Sequence, residues 1–257
     1  MVEPRSAVEL EIVRWAAWAP GLEDRDGWRA WAEGDLAIGG PVAPDVRFVD
    51  RLLRRRLGPL SRMAFRVATD CLDGAEERPL SVFCSRYGEF SRAFEILGDL
   101  ARDEPVSPMS FSLSVHNTAS SQFSILREDR SHSTALAAGE ASLEAGFLEC
   151  WTLLADDAAP SALLVYGDQV LPEAYAGQAT TVAENIAAAL WLRQPRDGGG
   201  GARLALSWSP SRRGTAAADG GDGSVLGLLR LLLKGGAPIE LDAGRLIWTW
   251  SYDGPPA

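Results

Sequence analysis

The stretch that decides the fold runs from Pro108 to Cys150 and reads PMSFSLSVHNTASSQFSILREDRSHSTALAAGEASLEAGFLEC. Its middle part, Ser131 to Ala137, is short and rich in small and β-prone residues, which predicts a strand. Gly139 follows, and glycine tolerates the positive φ of a tight strand-to-helix turn. Beyond the turn, apolar residues recur at helical spacing, so Ala141 to Leu154 is predicted to be a helix with one face packed on a sheet.

Further strands and helices are predicted on both sides of this unit. Leu80 to Cys84 is predicted to be a strand, and a helix with regularly spaced apolar residues opens at Gly88. Ser161 to Gly167 has the composition of a buried strand. Downstream, strands are predicted at Ala187 to Leu192, Ala202 to Trp208 and Leu246 to Tyr252, and a short helix at Val225 to Leu233. This alternation of strands and helices predicts an α/β fold.

The N-terminal region is predicted to be helical. Trp15 and Trp18 are spaced by three, which places them on one helix face. Trp28 and Trp31 have the same spacing, and packing is a more ordinary role for both pairs than a ligand cage. A glycine- and proline-rich loop follows, and a long helix is predicted from Asp45 to Asp73.

Composition and charge limit the classes of protein. A chain of 257 residues with 46% hydrophobic residues is expected to form one globular domain. Its three cysteines, Cys71, Cys84 and Cys150, lack metal-ligand spacing and leave an odd thiol, which favours a reducing compartment. The net charge of −10 and the lack of a long apolar run argue against nucleic-acid binding and a membrane span. Because the first residues also lack signal-peptide features, we expect a cytoplasmic protein.

The central stretch resembles the active-site region of the ketosynthases, in the thiolase-like family. Pro108 to Ile125 is similar to the serine- and asparagine-containing helix of that family, and Ser131 to Ala137 to its S-T-A-C strand. In the family, a sharp turn then exposes a cysteine, whereas this turn reads Ala138, Gly139, Glu140. The resemblance implies an α/β, layered αβα fold with a mixed sheet, the ketosynthase N-terminal half, lacking the second half-domain and its two catalytic histidines.

The residues for condensation chemistry are missing from the expected positions. Decarboxylative condensation needs a thiolate that carries the acyl chain and histidines that stabilise the developing charge. Cys150 lies too far along its helix to replace the nucleophile, and His116 and His132 both lie inside the matched segment. The sequence also has no G-x-S-x-G elbow, no Walker loop and no H-E-x-x-H motif. We therefore expect no catalytic residues, no metal and no cofactor.

What the resemblance implies is a chain length factor-like subunit, the inactive partner of a ketosynthase in a type II polyketide system. It is most similar to the short ketosynthase-like proteins of aryl polyene pigment pathways. In this family two chains pair across a pseudo-twofold axis, here through Ser110 to Leu126 and Ser131 to Ala137. The implied partner-interface residues are Ser114, His116, Asn117, Thr118, Ser121, Gln122, Ser133 and Thr134. Glu140 is the candidate for the acidic or amide residue that takes the place of the cysteine.

Two further groups of residues follow from the same resemblance. Bulky side chains of the interface helix set where the acyl tunnel ends, and the candidates are Phe111, Leu113 and Phe123. An acidic acyl carrier protein is expected to dock on arginines near the pocket mouth, and the tight basic cluster is Arg51, Arg54, Arg55 and Arg56. A solvated helix face is the ordinary explanation of such a cluster and stays open.

The organisation expected is a single ketosynthase-like domain, 1–257. It comprises an N-terminal helical and loop segment (1–44), the thiolase-like half-domain (45–208), a surface loop (209–223), and a C-terminal helix and strand (224–257). A flexible turn is expected at Gly198 to Gly201. Two other functions remain open. One is a homodimeric scaffold or acyl-binding protein, and the other is an independent hydrolase or acyltransferase that uses Cys150 or Ser133.

Overall fold

The computed structural model describes residues 6–40, 43–156, 159–175, 184–196, 200–211 and 224–256. Its strands are β1 (Ser6–Trp18), β2 (Leu80–Cys84), β3 (Ser133–Leu136), β4 (Ala162–Asp168), β5 (Ile186–Arg193), β6 (Arg203–Pro210), β7 (Ile239–Asp242) and β8 (Leu246–Asp253). Its α-helices are α1 (Arg25–Glu33), α2 (Arg51–Arg54), α3 (Pro59–Cys71), α4 (Phe90–Ala101), α5 (Pro108–Ser112), α6 (Thr118–Arg127), α7 (Ser142–Ala155) and α8 (Ser224–Lys234).

The strands form one mixed sheet in the order β3-β2-β4-β5-β1-β6-β8-β7. β2 pairs in parallel with β3 on one side and with β4 on the other, and the remaining neighbours are antiparallel. β3 and β7 are therefore the two outer strands of the described sheet.

Helices cover both faces of the sheet, which confirms the α/β, layered αβα fold with a mixed sheet. One apolar core joins α1, α7 and α8 to the sheet and includes Trp28, Phe147 and Leu229. The opposite core joins α3 and α6 to the other face and includes Phe65 and Phe123. Both cores consist of buried apolar side chains, so each layer gains hydrophobic stabilisation.

The N-terminal segment contradicts the helical prediction. Trp15 and Trp18 lie on β1, not on a helix. Their side chains enter opposite cores because successive side chains of a strand point to opposite faces of the sheet. Val8 and Leu10 follow the two-residue period of a strand, and the register of β1 shifts between Ile12 and Arg14. The second tryptophan pair does lie on a helix, α1, as predicted.

Two predicted helices are each divided into two. The helix predicted over residues 45–73 contains α2 and α3, which are separated by residues 55–58, because Pro59 at the start of α3 lacks the N–H that a continuous helix needs. The helix predicted over Ser110 to Leu126 consists of α5 and α6, and the connection Leu113 to Asn117 turns the chain between them.

The remaining elements agree closely with prediction, including α7, β4 and α8. β7 was not predicted, and residues 209 and 210 of the expected loop belong to β6. Residues 212–223 of that loop, and residues 198 and 199 of the glycine turn, lie outside the described residues. In the part of the chain that the structure describes, no helix is long and apolar enough to cross a bilayer.

Candidate functional site

The carboxyl ends of the parallel strands β2, β3 and β4 meet at one rim of the sheet. This is the rim where α/β proteins with parallel strands place their ligand sites. The chain segments that follow the three strands begin at Ser85, Ala137 and Gln169, and we call them the rim loops.

The loop after β3 contains the turn Ala138–Glu140. Gly139 has φ +61°, the left-handed conformation that glycine favours. The Ala138 N–H donates to Ser142 Oγ at 3.0 Å, and the Ser142 hydroxyl donates to the Gly139 carbonyl at 2.7 Å. Ser142 is buried and serves as an internal brace of the turn.

Glu140 presents a carboxylate at this turn. Its Oε1 lies 3.6 Å from a guanidinium nitrogen of Arg86, and both side chains are about four-fifths buried, at 22% and 17% exposure. Arg86 also lies over the Tyr87 ring, 5.6 Å from its centroid. The turn therefore carries an ion pair between two largely buried side chains.

The loops after β2 and β4 are joined by Asp168. Its carboxylate accepts hydrogen bonds from the Ser85 hydroxyl and the Arg86 N–H, both at 2.8 Å, and from the Tyr166 hydroxyl at 2.6 Å. Burial raises the pKa of Asp168, and these hydrogen bonds act in the opposite direction. Ser85 Oγ also accepts from the Gly88 N–H at 2.8 Å, which closes the loop after β2.

His116 fixes the end of β3. Its Nε2 lies 2.9 Å from the Leu136 carbonyl oxygen, and its ring packs on Gly88, whose φ is +59°. A Cβ at Gly88 would lie 2.5 Å from His116 Nδ1, so the close approach requires glycine. His132 is exposed, and its Nε2 lies 2.9 Å from Thr134 Oγ1.

The three cysteines are all free and buried. Burial raises the pKa of Cys71 to about 12 and raises those of Cys84 and Cys150 as well. A nucleophilic cysteine needs an accessible thiolate, so these thiols behave as packing groups. Among the described residues, no three His, Cys, Asp or Glu side chains are grouped closely enough to hold a metal ion.

Comparison with known proteins identifies the family. The family model of the beta-ketoacyl synthase N-terminal domain matches residues 28–251, which is most of the chain. The chain belongs to the beta-ketoacyl synthase N-terminal domain family. A search of curated proteins found no significant match.

Solved ketosynthase structures share the fold. One is the ketosynthase ApeO in complex with its chain length factor ApeC from Xenorhabdus doucetiae, matched with a TM-score of 0.80 and 26% identity over 95% of this chain and 99% of that chain. Another is the ishigamide ketosynthase/chain length factor, with a TM-score of 0.64 and 14% identity over 80% of this chain and 68% of that chain. A third is the AntDE:AntF complex of a type II polyketide synthase acyl-carrier protein with its ketosynthase, with a TM-score of 0.59 and 11% identity over 80% and 70%.

The interface candidates of this ketosynthase family member differ in how exposed they are. Ser133 and Thr134 lie on the outer strand β3, while Ser121 and Asn117 are exposed around α6. Ser114 and His116 are half-buried in the α5–α6 connection. Thr118 and Gln122 are buried within this chain, at 3% and 5% exposure, so they do not lie on its free surface.

Apolar side chains are exposed beside these residues. Met109, Phe111, Val115 and Ile125 are 54%, 66%, 49% and 67% exposed on α5, α6 and their connection. We call these four residues the apolar face. Exposed apolar groups gathered in one region indicate a surface that another molecule covers.

The tunnel candidates are not brought together. Phe111 is exposed and Leu113 is half-buried, whereas Phe123 is 4% exposed and belongs to the core. The ring centroid of Phe123 lies 5.3 Å from that of Phe65 and 5.6 Å from that of Phe83. Phe123 also borders a small cleft, whose other walls include Ser81, Ser124, Arg127, Ser131 and Ser133.

The candidate docking arginines lie in the segment Arg51–Leu57, which we call the basic segment. Arg51, Arg55 and Arg56 are exposed, and Arg54 is half-buried. Leu52 is 71% exposed between them.

Sequence reasoning missed the loop after β2 as part of the site. Arg86, Gly88 and Glu89 contact the turn, His116 and α3 respectively. Their position directly after a predicted parallel strand was the one available signal, because such strand ends meet at the rim.

Proposed function

We propose that this chain is a non-catalytic, chain length factor-like subunit that pairs with an active ketosynthase. The observation that carries this proposal is the turn Ala138–Glu140, which follows β3 and precedes α7 and offers a carboxylate paired with Arg86. A ketosynthase forms a thioester with its substrate, and this step requires a thiol. The carboxylate of Glu140, paired with a guanidinium, cannot form a thioester. Since the three cysteines are buried, none of them replaces it.

The surface around β3 supports pairing with another chain. β3 is an outer strand, so the backbone groups on its free side are available for strand addition. The apolar face includes Ile125 on α6, the helix that packs against β3, and we propose that it adds hydrophobic area to the same contact. We propose that Ser133, Thr134, Ser121 and Asn117 line this contact, and that Thr118 and Gln122 support α6 from within.

The pathway proposed is type II polyketide synthesis of the aryl polyene pigment kind, or a related fatty-acid-like pathway. Support comes from the near-complete mutual coverage with a chain of the ApeO and ApeC complex, which is described as a ketosynthase with its chain length factor. A reducing, cytoplasmic location is part of the proposal and fits three cysteines that form no disulfide.

In this function the chain shapes the end of the acyl tunnel. Phe111 is the foremost tunnel candidate because its ring is exposed and available to a shared cavity, and Leu113 is half-buried beside it. Phe123 contributes from the core, by holding α6 against α3. Replacing Phe111 by alanine should lengthen the products of the complex, as read by mass spectrometry.

The acyl carrier protein is the proposed third component. The segment from residue 43 to residue 66 holds seven arginines and two aspartates in a chain whose net charge is −10. This local reversal of sign gives an acidic carrier protein a complementary surface. The AntDE:AntF structure is described as a ketosynthase in complex with its carrier protein, which supports docking on this fold.

The decisive test is coexpression with the ketosynthase of the same organism, followed by size-exclusion chromatography and a condensation assay. We expect one complex whose activity requires the cysteine of the partner and survives Cys84→Ala and Cys150→Ala in this chain. Two proteins that elute separately at micromolar concentration would refute the pairing.

A homodimeric scaffold or acyl-binding protein is the second candidate, because the free edge of β3 can also receive a second copy of this chain. A stable homodimer that does not exchange with the ketosynthase would favour it. Independent hydrolase or acyltransferase activity is the third, and thioester turnover by the chain alone, abolished by Cys150→Ala or Ser133→Ala, would favour that function. The complete burial of the Cys150 thiol argues against its Cys150 version.

A further inference from the structure

A buried acidic residue, Glu89, lies against the start of α3, directly after the basic segment. Glu89 is 3% exposed and Ser61 is fully buried, and the Ser61 hydroxyl donates to Glu89 Oε1 at 2.5 Å. The other carboxylate oxygen lies against Gly58, where a Cβ would come within 2.2 Å of it. Glu89, in the rim loop after β2, thus contacts the start of α3, directly after the basic segment.

The start of α3 has no capping group of its own. Its N-cap residue is Gly58, which has no side chain, and the first helical residue is Pro59, which has no N–H. The carboxylate of Glu89 accepts a hydrogen bond from the Ser61 hydroxyl and lies against Gly58, the N-cap residue of the helix. Glu89 therefore supplies a carboxylate to the start of α3 from a distant part of the sequence, and the positive end of the helix favours its negative charge.

Three arginine hydrogen bonds hold the backbone of the basic segment. Arg92, on α4, donates to the Arg56 carbonyl at 3.2 Å. Arg62, on α3, donates to the carbonyls of Arg54 and Leu57 at 3.0 and 3.3 Å. These bonds use the main chain of the basic segment, and the side chains of Arg51, Arg55 and Arg56 are exposed.

We propose that Glu89 is a positioning residue that, together with Ser61 and Arg92, holds the basic segment in the orientation that an acidic carrier protein binds. The inference rests on the proposed docking function and assigns it a buried support. Charge places a partner near the surface, but preorganised cations bind it more tightly, because fewer side chains and less backbone must be ordered on contact.

The effect of removing the Glu89 charge distinguishes this positioning role from simple electrostatics. Removing a negative charge beside a basic surface should, by Coulomb attraction alone, strengthen the binding of an acidic partner. The positioning role predicts the opposite result, namely that loss of Glu89 weakens the binding of the acidic partner. Gly58→Ala provides a second probe, because its methyl group displaces the carboxylate without changing any charge.

The experiment measures binding of the holo acyl carrier protein of the same organism to the full-length chain, in its ketosynthase complex, at low salt. Glu89→Ala and Gly58→Ala should each weaken binding about tenfold. Glu89→Gln keeps an oxygen that accepts from the Ser61 hydroxyl, and we expect it to retain most of the affinity. Glu95→Ala is the matched control, since it removes an exposed carboxylate from α4, the helix that begins directly after Glu89.

Two sets of variants distinguish the possible failures. If Arg51→Ala and Arg55→Ala leave binding unchanged, the docking proposal itself is refuted. If they weaken binding but Glu89→Ala strengthens it or has no effect, docking stands and the positioning role is overturned. Should Glu89→Ala fail to fold, Arg92→Ala and Gly58→Ala decide, with hydrogen exchange of residues 51–57 expected to rise in each.

Discussion

The two outer strands of the sheet differ in how they are protected. β3 and β7 have four residues each, but β7 carries Glu240 and Asp242, whereas β3 carries no charged residue. Charged side chains on an edge strand discourage pairing with other chains. The β7 edge therefore carries charges that discourage pairing, and we call it the guarded edge. The β3 edge carries no such charges.

The neighbourhoods of the two strands differ in the same direction. Phe111 and Ile125 of the apolar face are about two-thirds exposed, and Ile125 lies on α6, the helix that contacts β3. Near β7, Ile239 and Leu241 are half-buried, and none of the described residues from 184 to 256 is an exposed large hydrophobic. The comparison teaches that the β3 side of the sheet, rather than the β7 side, has the surface suited to a partner.

The most severe way to break the β3 side is from within the core. Phe123→Ala removes the ring packed between Phe65 and Phe83 and should lower the free energy of unfolding by about 3–5 kcal/mol. Urea unfolding measures this loss. The exposed Phe111→Ala serves as the control, and an equally small loss in both variants would contradict the core assignment of Phe123.

The free edge itself is tested by proline. The His132 and Leu136 carbonyls accept hydrogen bonds from β2, so the alternate residue Ala135 directs its N–H to the outer side. Ala135→Pro removes that donor and should weaken association with the ketosynthase about a hundredfold or more. The measurement is analytical ultracentrifugation of the mixed proteins.

Glu240→Lys on β7 is the matched change at the guarded edge. It should leave the association constant unchanged. Equal loss in both variants would show that the partner does not distinguish the two edges.

A smaller effect is expected from the apolar face. Phe111→Ser and Ile125→Ser should each weaken the complex about tenfold, because exposed apolar groups that become buried in an interface carry much of its energy. The melting temperature of the isolated chain should stay unchanged, since both side chains face solvent. Leu36→Ser, at an exposed apolar position outside the face, is the control. An equal loss of affinity in this variant would show that the apolar face is not part of the interface.

Local patterns predicted the elements around the site well. The strand β3, the turn at Gly139 and the helix α7 follow from side-chain periodicity and one glycine. β1 was wrong because tryptophans spaced by three suggested a helix, although Val8 and Leu10 already alternate with glutamates. In that segment the two-residue period was the better guide.

The contacts that organise the site had no local signal. Glu89 reaches Ser61 across 28 residues, and Ser85 reaches Asp168 across 83. His116 meets Leu136 because the chain reverses between α5 and α6, a break that no proline or glycine marks. Such pairs depend on strand order, which periodicity alone does not specify.

The smallest effect is a slope in the pH dependence of stability, and it comes from the carboxyl group that joins two rim loops. Because burial raises the pKa of Asp168 above its ordinary value of 3.8, the folded state binds a proton there that the unfolded state has released. Its contribution to stability is fully present below pH 3.8 and is lost as the pH rises through the raised pKa. The difference in unfolding free energy between the wild type and Asp168→Asn should therefore shrink as the pH rises from 4 towards neutrality.

Urea unfolding at a series of pH values measures that difference, and Glu240→Gln, which removes an exposed carboxylate from the guarded edge, controls for net charge. A difference that grows with pH would mean that the hydrogen bonds from Ser85, Arg86 and Tyr166 stabilise the ionised carboxylate more than burial destabilises it. The rim would then be held together by a charge, in the manner of a site that still binds a polar ligand. A difference that shrinks supports a rim kept only to hold β3 and its neighbours in place for a partner.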